Sequence, residues 1–128
     1  MTEGLVATHP HESLTDVANR MRDHGVGAVA IMEEDQLVGI ITERDLMRAI
    51  ADGLSPGLTP ASEYMTPGPL TVGPEEDVGE ASAQMSARRV RHLPVVEEGK
   101  VVGLLSARDI LRIEEAASDL ADLAYEPW

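Results

Sequence analysis

The chain repeats itself, and no other feature limits its fold as much. Shifted by 64 positions, residues 8–50 align with residues 72–114 without a gap. Eleven of the 43 aligned pairs are identical, among them Pro10/Pro74, Met21/Met85, Gly39/Gly103, Arg44/Arg108 and Asp45/Asp109. Chance matching in an ordinary composition would give about three. Conservative pairs such as Ile31/Val95, Thr42/Ser106 and Leu46/Ile110 fill much of the remainder. A tandem duplication of this length implies two copies of one supersecondary unit, each needing the other to cover its apolar face.

Both copies carry the same order of patterns. Leu14, Val17, Ala18 and Met21 recur at the spacing of one helical face, and Val78, Ala81 and Met85 repeat it. An apolar run of strand length follows, Ala28–Met32 or Leu93–Val96, then an acidic turn, then a second β-rich run, Leu37–Ile41 or Val101–Leu105. The two runs predict a hairpin. A second helix is expected from Thr42 or Ser106, with Leu46, Met47 and Ile50 facing inward in the first copy. Short strands near Leu5–Thr8 and Leu70–Val72 precede the first helices. Each unit therefore reads β-α-β-β-α, and the expected fold is α+β, two such repeats packed sheet to sheet about a pseudo-twofold axis. Repeat one spans 5–52, a Gly/Pro-rich linker 53–68 and repeat two 69–116, leaving a helical extension and tail at 117–128. Within the linker, Pro60–Met65 is expected to form one helical turn, and Ile113, Ala117, Leu120 and Ala124 place an apolar stripe on the extension.

Composition bears on partners and excluded chemistry. The 128 residues include 23 Asp and Glu against 10 Lys and Arg, a formal net charge of −13. So acidic a surface disfavours nucleic acid and anionic lipid, which bind by phosphate neutralisation; a small phosphorylated ligand needs only a few local cations. With no Cys, disulfides, thiol nucleophiles and Cys-ligated metals are excluded. With no Phe, two Tyr and one Trp, the core must be aliphatic. No apolar run reaches the ~18 residues of a membrane span, and Met1–Gly4 lacks the basic start of a signal peptide. A cytoplasmic protein is the expectation.

The segments Val38–Asp45, Val-Gly-Ile-Ile-Thr-Glu-Arg-Asp, and Val102–Asp109, Val-Gly-Leu-Leu-Ser-Ala-Arg-Asp, resemble the Gly-apolar-apolar-Thr/Ser-x-x-Asp signature of CBS domains. Tyr64–Pro67, Leu70–Val72 and Arg91–Val96 agree with the upstream parts of such a repeat, and the likeness covers about residues 5–116. It implies a stand-alone CBS pair, or Bateman module, a regulatory protein that catalyses nothing. It further implies a cleft for an adenosine-containing ligand (AMP, ADP, ATP, S-adenosylmethionine or NAD), no required cofactor, a homodimer, and a separate regulated protein as partner.

The signature has its own physics. Thr42 and Ser106 stand where a strand gives way to a helix, so unpaired N–H groups and the positive dipole end face outward. Their hydroxyls suit a phosphate or ribose oxygen, and Asp45 and Asp109 offer paired acceptors to adjacent ribose hydroxyls. Gly39 and Gly103 allow close approach of backbone or ligand. By resemblance adenine lies against the short strands, bringing in Thr8 and Val72, with Val6 and Leu70 beside them. Phosphate contact falls to Arg91 and His92, assisted by Arg44 and Arg108. The second copy carries the basic run Arg88–His92 where the first has His24–Ala28, which predicts two unequal sites.

Each residue also has a purely structural reading. Thr42-x-x-Asp45 and Ser106-x-x-Asp109 are good helix caps, as are Ser13-x-x-Asp16 and Asp77-x-x-Glu80. The arginines suit exposed ion pairs. His9 and His11 flank Pro10 in a surface loop and lack a third metal ligand in sequence, and His24 favours a helix C-terminus. The competing function is a ligand-free interaction or dimerisation scaffold, supported by the C-terminal stripe and the terminal Tyr125–Trp128.

Overall fold

A computed structural model describes residues 6–110. The first copy comprises β1 (Ala7–Thr8), α1 (Leu14–His24), β2 (Ala28–Glu33), β3 (Gln36–Thr42) and α2 (Glu43–Ala51). A 3-10 turn (Ala61–Glu63) and β4 (Thr66–Pro67) connect it to α3 (Val78–Arg88), β5 (His92–Glu97) and β6 (Lys100–Ser106). A further helix, α4, starts at residue 107 and continues to the last described residue.

The duplication is exact in register. Helix α1 becomes α3, β2 becomes β5 and β3 becomes β6 on adding 64 to both ends. Thr8 pairs with Ile31 in parallel, and Val72 with Val95. The hairpin bulge between Ile31 and Met32 recurs between Val95 and Val96. Both hairpins close through two residues with positive φ, Glu34-Asp35 and Glu98-Gly99, the turn geometry that follows the twist of antiparallel strands.

Each copy builds its own core. Leu14, Val17 and Met21 of α1 pack on Val29, Ile31 and Ile41, with Ala49 of α2 closing the layer. In the second copy Ala81 and Met85 pack on Leu93, Val95 and Ile110. The other face of each sheet meets its counterpart. Ala28, Ile40 and Leu104 form a separate buried cluster across the join. Ile40 and Leu104 occupy equivalent positions, as two residues touching near a twofold axis must.

The structure departs from the sequence reading in α2 and in the connection. Met47 and Ile50 do not face inward; they are 60% and 67% exposed, while Asp45 and Ala49 are buried. Helix α2 begins directly after β3, and its phase is fixed there by the Thr42–Asp45 cap, which carries Asp45 and Ala49 to the sheet. The connection does include the expected helical turn, but it is no loose tether. Leu14, Ala61 and Ser62 exchange main-chain hydrogen bonds with Thr59, Glu12 and Pro10. The Tyr64 hydroxyl donates to Asp52 at 2.6 Å, and β4 adds to the first copy's sheet by pairing with Gly39 and Ile40. Asp77 stands at the N-cap of α3 without accepting a side-chain cap bond, unlike Ser13 at α1. The C-terminal stripe and Tyr125–Trp128 lie outside the described residues.

Leu14→Ala should lower unfolding free energy by about 2–5 kcal/mol, and Met47→Ala by no more than about 0.5 kcal/mol in a monomer. Denaturant titration of the two variants checks the assigned faces.

Candidate functional site

The helix starts that carry the signature are capped in both copies. Thr42 is extended (φ −117°, ψ 168°) and its hydroxyl accepts from the Asp45 N–H at 3.4 Å. Asp45 Oδ2 in turn accepts from the Thr42 N–H at 2.9 Å and the Thr42 hydroxyl at 3.1 Å, and Arg48 donates to Oδ1 at 3.1 Å. Asp45 is only 4% exposed, so both of its oxygens are committed within the chain. In the second copy Asp109 Oδ2 accepts from the Ser106 N–H at 2.9 Å, and the Asp109 N–H donates to the Ser106 hydroxyl at 2.9 Å. Asp109 is half-buried. Burial works against its charge, yet its carboxyl sits below the usual carboxylate range, with the bonds from the Ser106 backbone and hydroxyl contributing.

The two copies meet closely around the first turn of α2. Arg44 reaches across and donates to the Arg89 carbonyl at 3.3 Å. A side chain on Gly27 would collide with the Glu43 carboxylate and come within 3.5 Å of His92 Nε2. His92 is largely buried there, and its pKa is pushed down, first by that burial and then by the adjacent Arg91 charge. Beside this junction opens a cleft of about 410 Å³. Arg44 from the first copy lines it together with Arg89, Arg91, Ser82, Ser86 and Ile110 from the second.

Of the twelve residues singled out from the sequence, Arg44 and Arg91 line this cleft. Asp109 and Arg108 lie between the lining residues Ala107 and Ile110 on α4, and Ser106 directly precedes them. Thr42 and Asp45 flank Arg44 at the start of α2. His92 follows Arg91 at the start of β5. Thr8, Val72 and Gly103 are buried in their sheets, and Leu70 is exposed. Gly39 does permit a close approach, but by the chain itself: a Cβ there would stand 2.5 Å from Met65 Sδ and 3.0 Å from the Thr66 carbonyl. That space belongs to the connection and β4.

Sequence reasoning missed Ser82 and Ser86, and it held Arg89 only as part of the basic run Arg88–His92. In the alignment Arg89 faces Gly25. Both residues end a helix in the left-handed conformation, Gly25 at φ 64° and ψ 35°, Arg89 at φ 56° and ψ 36°. For a residue with a side chain that conformation costs roughly 1–2 kcal/mol, so an arginine in place of glycine is notable.

A second polar group sits at the other end of the first copy. Arg20 donates two hydrogen bonds to Glu12, at 2.5 and 2.8 Å. They hold the Glu12 carboxyl below its usual range against an opposing effect of burial. The buried Thr8 hydroxyl lies near enough to add to this shift but makes no hydrogen bond of good geometry. His9 and His11 are exposed nearby, and among the described residues no cluster of three metal-ligating side chains forms.

Two β-α-β-β-α units, each with a capped Gly-x-x-Thr/Ser-x-x-Asp turn and joined over a shared cleft, define a paired-repeat α+β module. The chain belongs to the CBS domain family, which matches residues 1–52 and 61–116, and it is a tandem CBS pair. The CBS domain-containing protein YhcV of Bacillus subtilis is 30% identical over 131 aligned positions, covering 98% of this chain and 93% of its own length. The uncharacterized protein MK0525 of Methanopyrus kandleri is 36% identical; the match takes in 86% of this chain but 58% of that protein. Among solved structures, the CBS domain pair of protein MJ0100 in complex with 5′-methylthioadenosine and S-adenosyl-L-methionine superposes with a TM-score of 0.85 at 27% identity, covering 92% of this chain and 94% of that one. The CBS domain protein PAE2072 from Pyrobaculum aerophilum, complexed with AMP, gives 0.79 at 28% identity, with 92% and 95% covered.

The depressed Glu12 carboxyl stabilises the fold fully above the ordinary glutamate range, and this contribution is lost as pH falls through its lower folded value. His92, also depressed, adds stability that is present above the ordinary histidine range and lost on acidification through its folded value. Melting temperature should therefore fall as the pH drops through both windows. Glu12→Gln should flatten only the lower limb and His92→Gln only the upper one.

Proposed function

We propose that this chain is a regulatory module that binds an adenosine-containing ligand between its repeats and acts by shifting their relative arrangement. One observation carries the reading: the cleft is lined by Arg44 of one copy and by α3, Arg91 and α4 of the other, so an occupant touches both. Such an occupant biases the arrangement of the copies only through different affinity for two states. The ligands held by the related structures of MJ0100 and PAE2072 support the choice of an adenosine compound. In this reading the Asp109–Ser106 turn contacts the ribose, Arg91 and Arg44 contact phosphate, and a cytoplasmic homodimer passes the change to a separate protein without catalysis. NAD stays among the candidate ligands.

A second reading has observations of its own. Asp45 is fully used by its cap and by Arg48, and Met47, Ile50, Leu54 and Leu58 expose apolar surface on and after α2. These favour a dimerisation scaffold with no cargo.

A thermal-shift panel of AMP, ADP, ATP, S-adenosylmethionine and NADH separates the two. Ligand at 100 times its dissociation constant stabilises by about 2.7 kcal/mol, so a ligand-specific rise in melting temperature, abolished in Asp109→Asn, is the expected result. A flat response to all five, with a dimer that Met47→Glu dissociates, would establish the scaffold instead.

A further inference from the structure

One apolar surface of this chain has no cover among the described residues. Met47 and Ile50 stand three residues apart on the outer side of α2, opposite the buried Asp45 and Ala49. Leu54 follows one turn on, its N–H donating to the Ala49 carbonyl at 3.2 Å, and it too is exposed. The repeat unit does not require this face: 64 positions on, the second copy has Leu111, Glu114 and Ser118. Arg44 and Arg48 are exposed along the same side of the helix. A guanidinium has five donors, so the bonds of Arg44 to the Arg89 carbonyl and of Arg48 to Asp45 leave donors for another partner. Of the nearby acids, Glu43 turns to Gly27 and Asp52 accepts from Tyr64. The outer face of α2 is thus an apolar stripe with a basic margin, on a chain of formal net charge −13.

The sequence after the described residues has the matching character. Ile113, Ala117, Leu120 and Ala124 recur at the spacing of one helical face, with Ala116 and Leu123 beside them. Glu114, Glu115, Asp119, Asp122 and Glu126 stand between them, against a single base, Arg112. Residues 117–128 also lie past the family match, which stops at 116. As a helix, residues 111–128 would run about 27 Å, roughly twice the length of α2. A short amphipathic helix is marginal in water until its apolar side is covered. Helices α2 and α4 pack on opposite copies, Ala49 in the first core and Ile110 in the second. A segment continuing α4 is therefore directed away from the α2 of its own chain.

We propose that the outer face of α2 is the docking site for residues 111–128 of a second copy of this chain, bound as an acidic amphipathic helix, with the exchange reciprocal about a twofold axis. The apolar side of the segment covers Met47, Ile50 and Leu54, and its carboxylates meet Arg48. Because both chains give and receive the same segment, assembly closes at two chains. Docking of this kind rests on the homodimer of the proposed function, for which it names the contact, and is independent of the adenosine ligand.

The chain has no cysteine, so introduced thiols report contacts without background. The test mixes two full chains, Ile50→Cys and Leu120→Cys, under oxidising conditions and reads the products by mass. A disulfide joining one chain of each kind should form in preference to either like-with-like product. Wild type should sediment as a dimer, and Met47→Glu and Leu120→Glu should each raise its dissociation constant by about tenfold or more. Trp128, the only Trp in the chain, should emit at longer wavelength in Met47→Glu than in wild type, as the segment is released to water. A dimeric protein that forms no mixed disulfide, or in which Ile50→Cys links only to itself, would overturn the docking and leave the homodimer standing. A disulfide closed within one chain of the double variant Ile50→Cys/Leu120→Cys would overturn the exchange between copies. Wild type that stays monomeric at all concentrations would sink the homodimer of the proposed function together with the docking.

Discussion

Everything in this molecule depends on one buried contact, that of Ile40 and Ala28 with Leu104 across the join. Each sheet has one face covered by its own helices, through Leu14, Val17 and Met21 in the first copy and Ala81 and Met85 in the second. The opposite face of a small sheet has no cover within a unit of ~50 residues, and burying it contributes about 25 cal/mol for each Å² removed from water. The second copy supplies that cover. Because the contact joins equivalent positions, it also brings the start of α2 against the α3–β5 turn, where Arg44 meets Arg89. The cleft is a by-product of the way the two sheets must pack.

Duplication fixes the backbone, and divergence then writes chemistry onto it. The hairpins, bulges and first helices of the two copies coincide after a shift of 64, so at these elements the copies differ in their side chains. The turns between the first helix and the following strand differ most in character, Gly25 and Gly27 against Arg89 and Arg91. A turn that glycine makes at no steric cost is made by arginine at some expense to the fold. Stability alone does not favour that exchange.

How much of this was legible in the sequence depended on the kind of information each feature carries. Strand and helix order, the hairpins and the pairing of the copies follow from apolar spacing, which appears twice and so checks itself. The inward assignment of Met47 and Ile50 failed because a nine-residue helix has too few apolar positions to fix its phase; the cap at Thr42 fixes it instead. Gly39 was rightly read as a place of close approach, but a sequence does not say what approaches, and Met65 from the connection fills the space. Asp77 has the spacing of a cap without its bond, since the aspartate must also adopt the right rotamer. The signature residues were read both as caps and as ligand contacts, and the structure realises the cap in each copy. Arg89 was legible only as one of the basic run Arg88–His92; its left-handed φ, which sets it apart, is not written in the sequence.

The capped state of the signature aspartates bears on how a ligand would engage. A carboxylate held by its own helix start is already oriented, so it loses little side-chain freedom when a hydroxyl approaches its remaining lone pairs. The two copies are not equal in this respect. Asp45 is nearly inaccessible and held by Arg48 in addition to its cap, whereas Asp109 is half-buried next to residues that line the cleft. Releasing Asp45 would leave Arg48 without its acid and would loosen the start of α2, which sets the phase of Ala49 in the core. The half of the molecule that carries Asp109 also brings Arg89 and Arg91 to the cleft. In the proposed reading, ribose and phosphate contacts therefore fall mainly on the second copy, and Arg44 of the first copy completes the cleft.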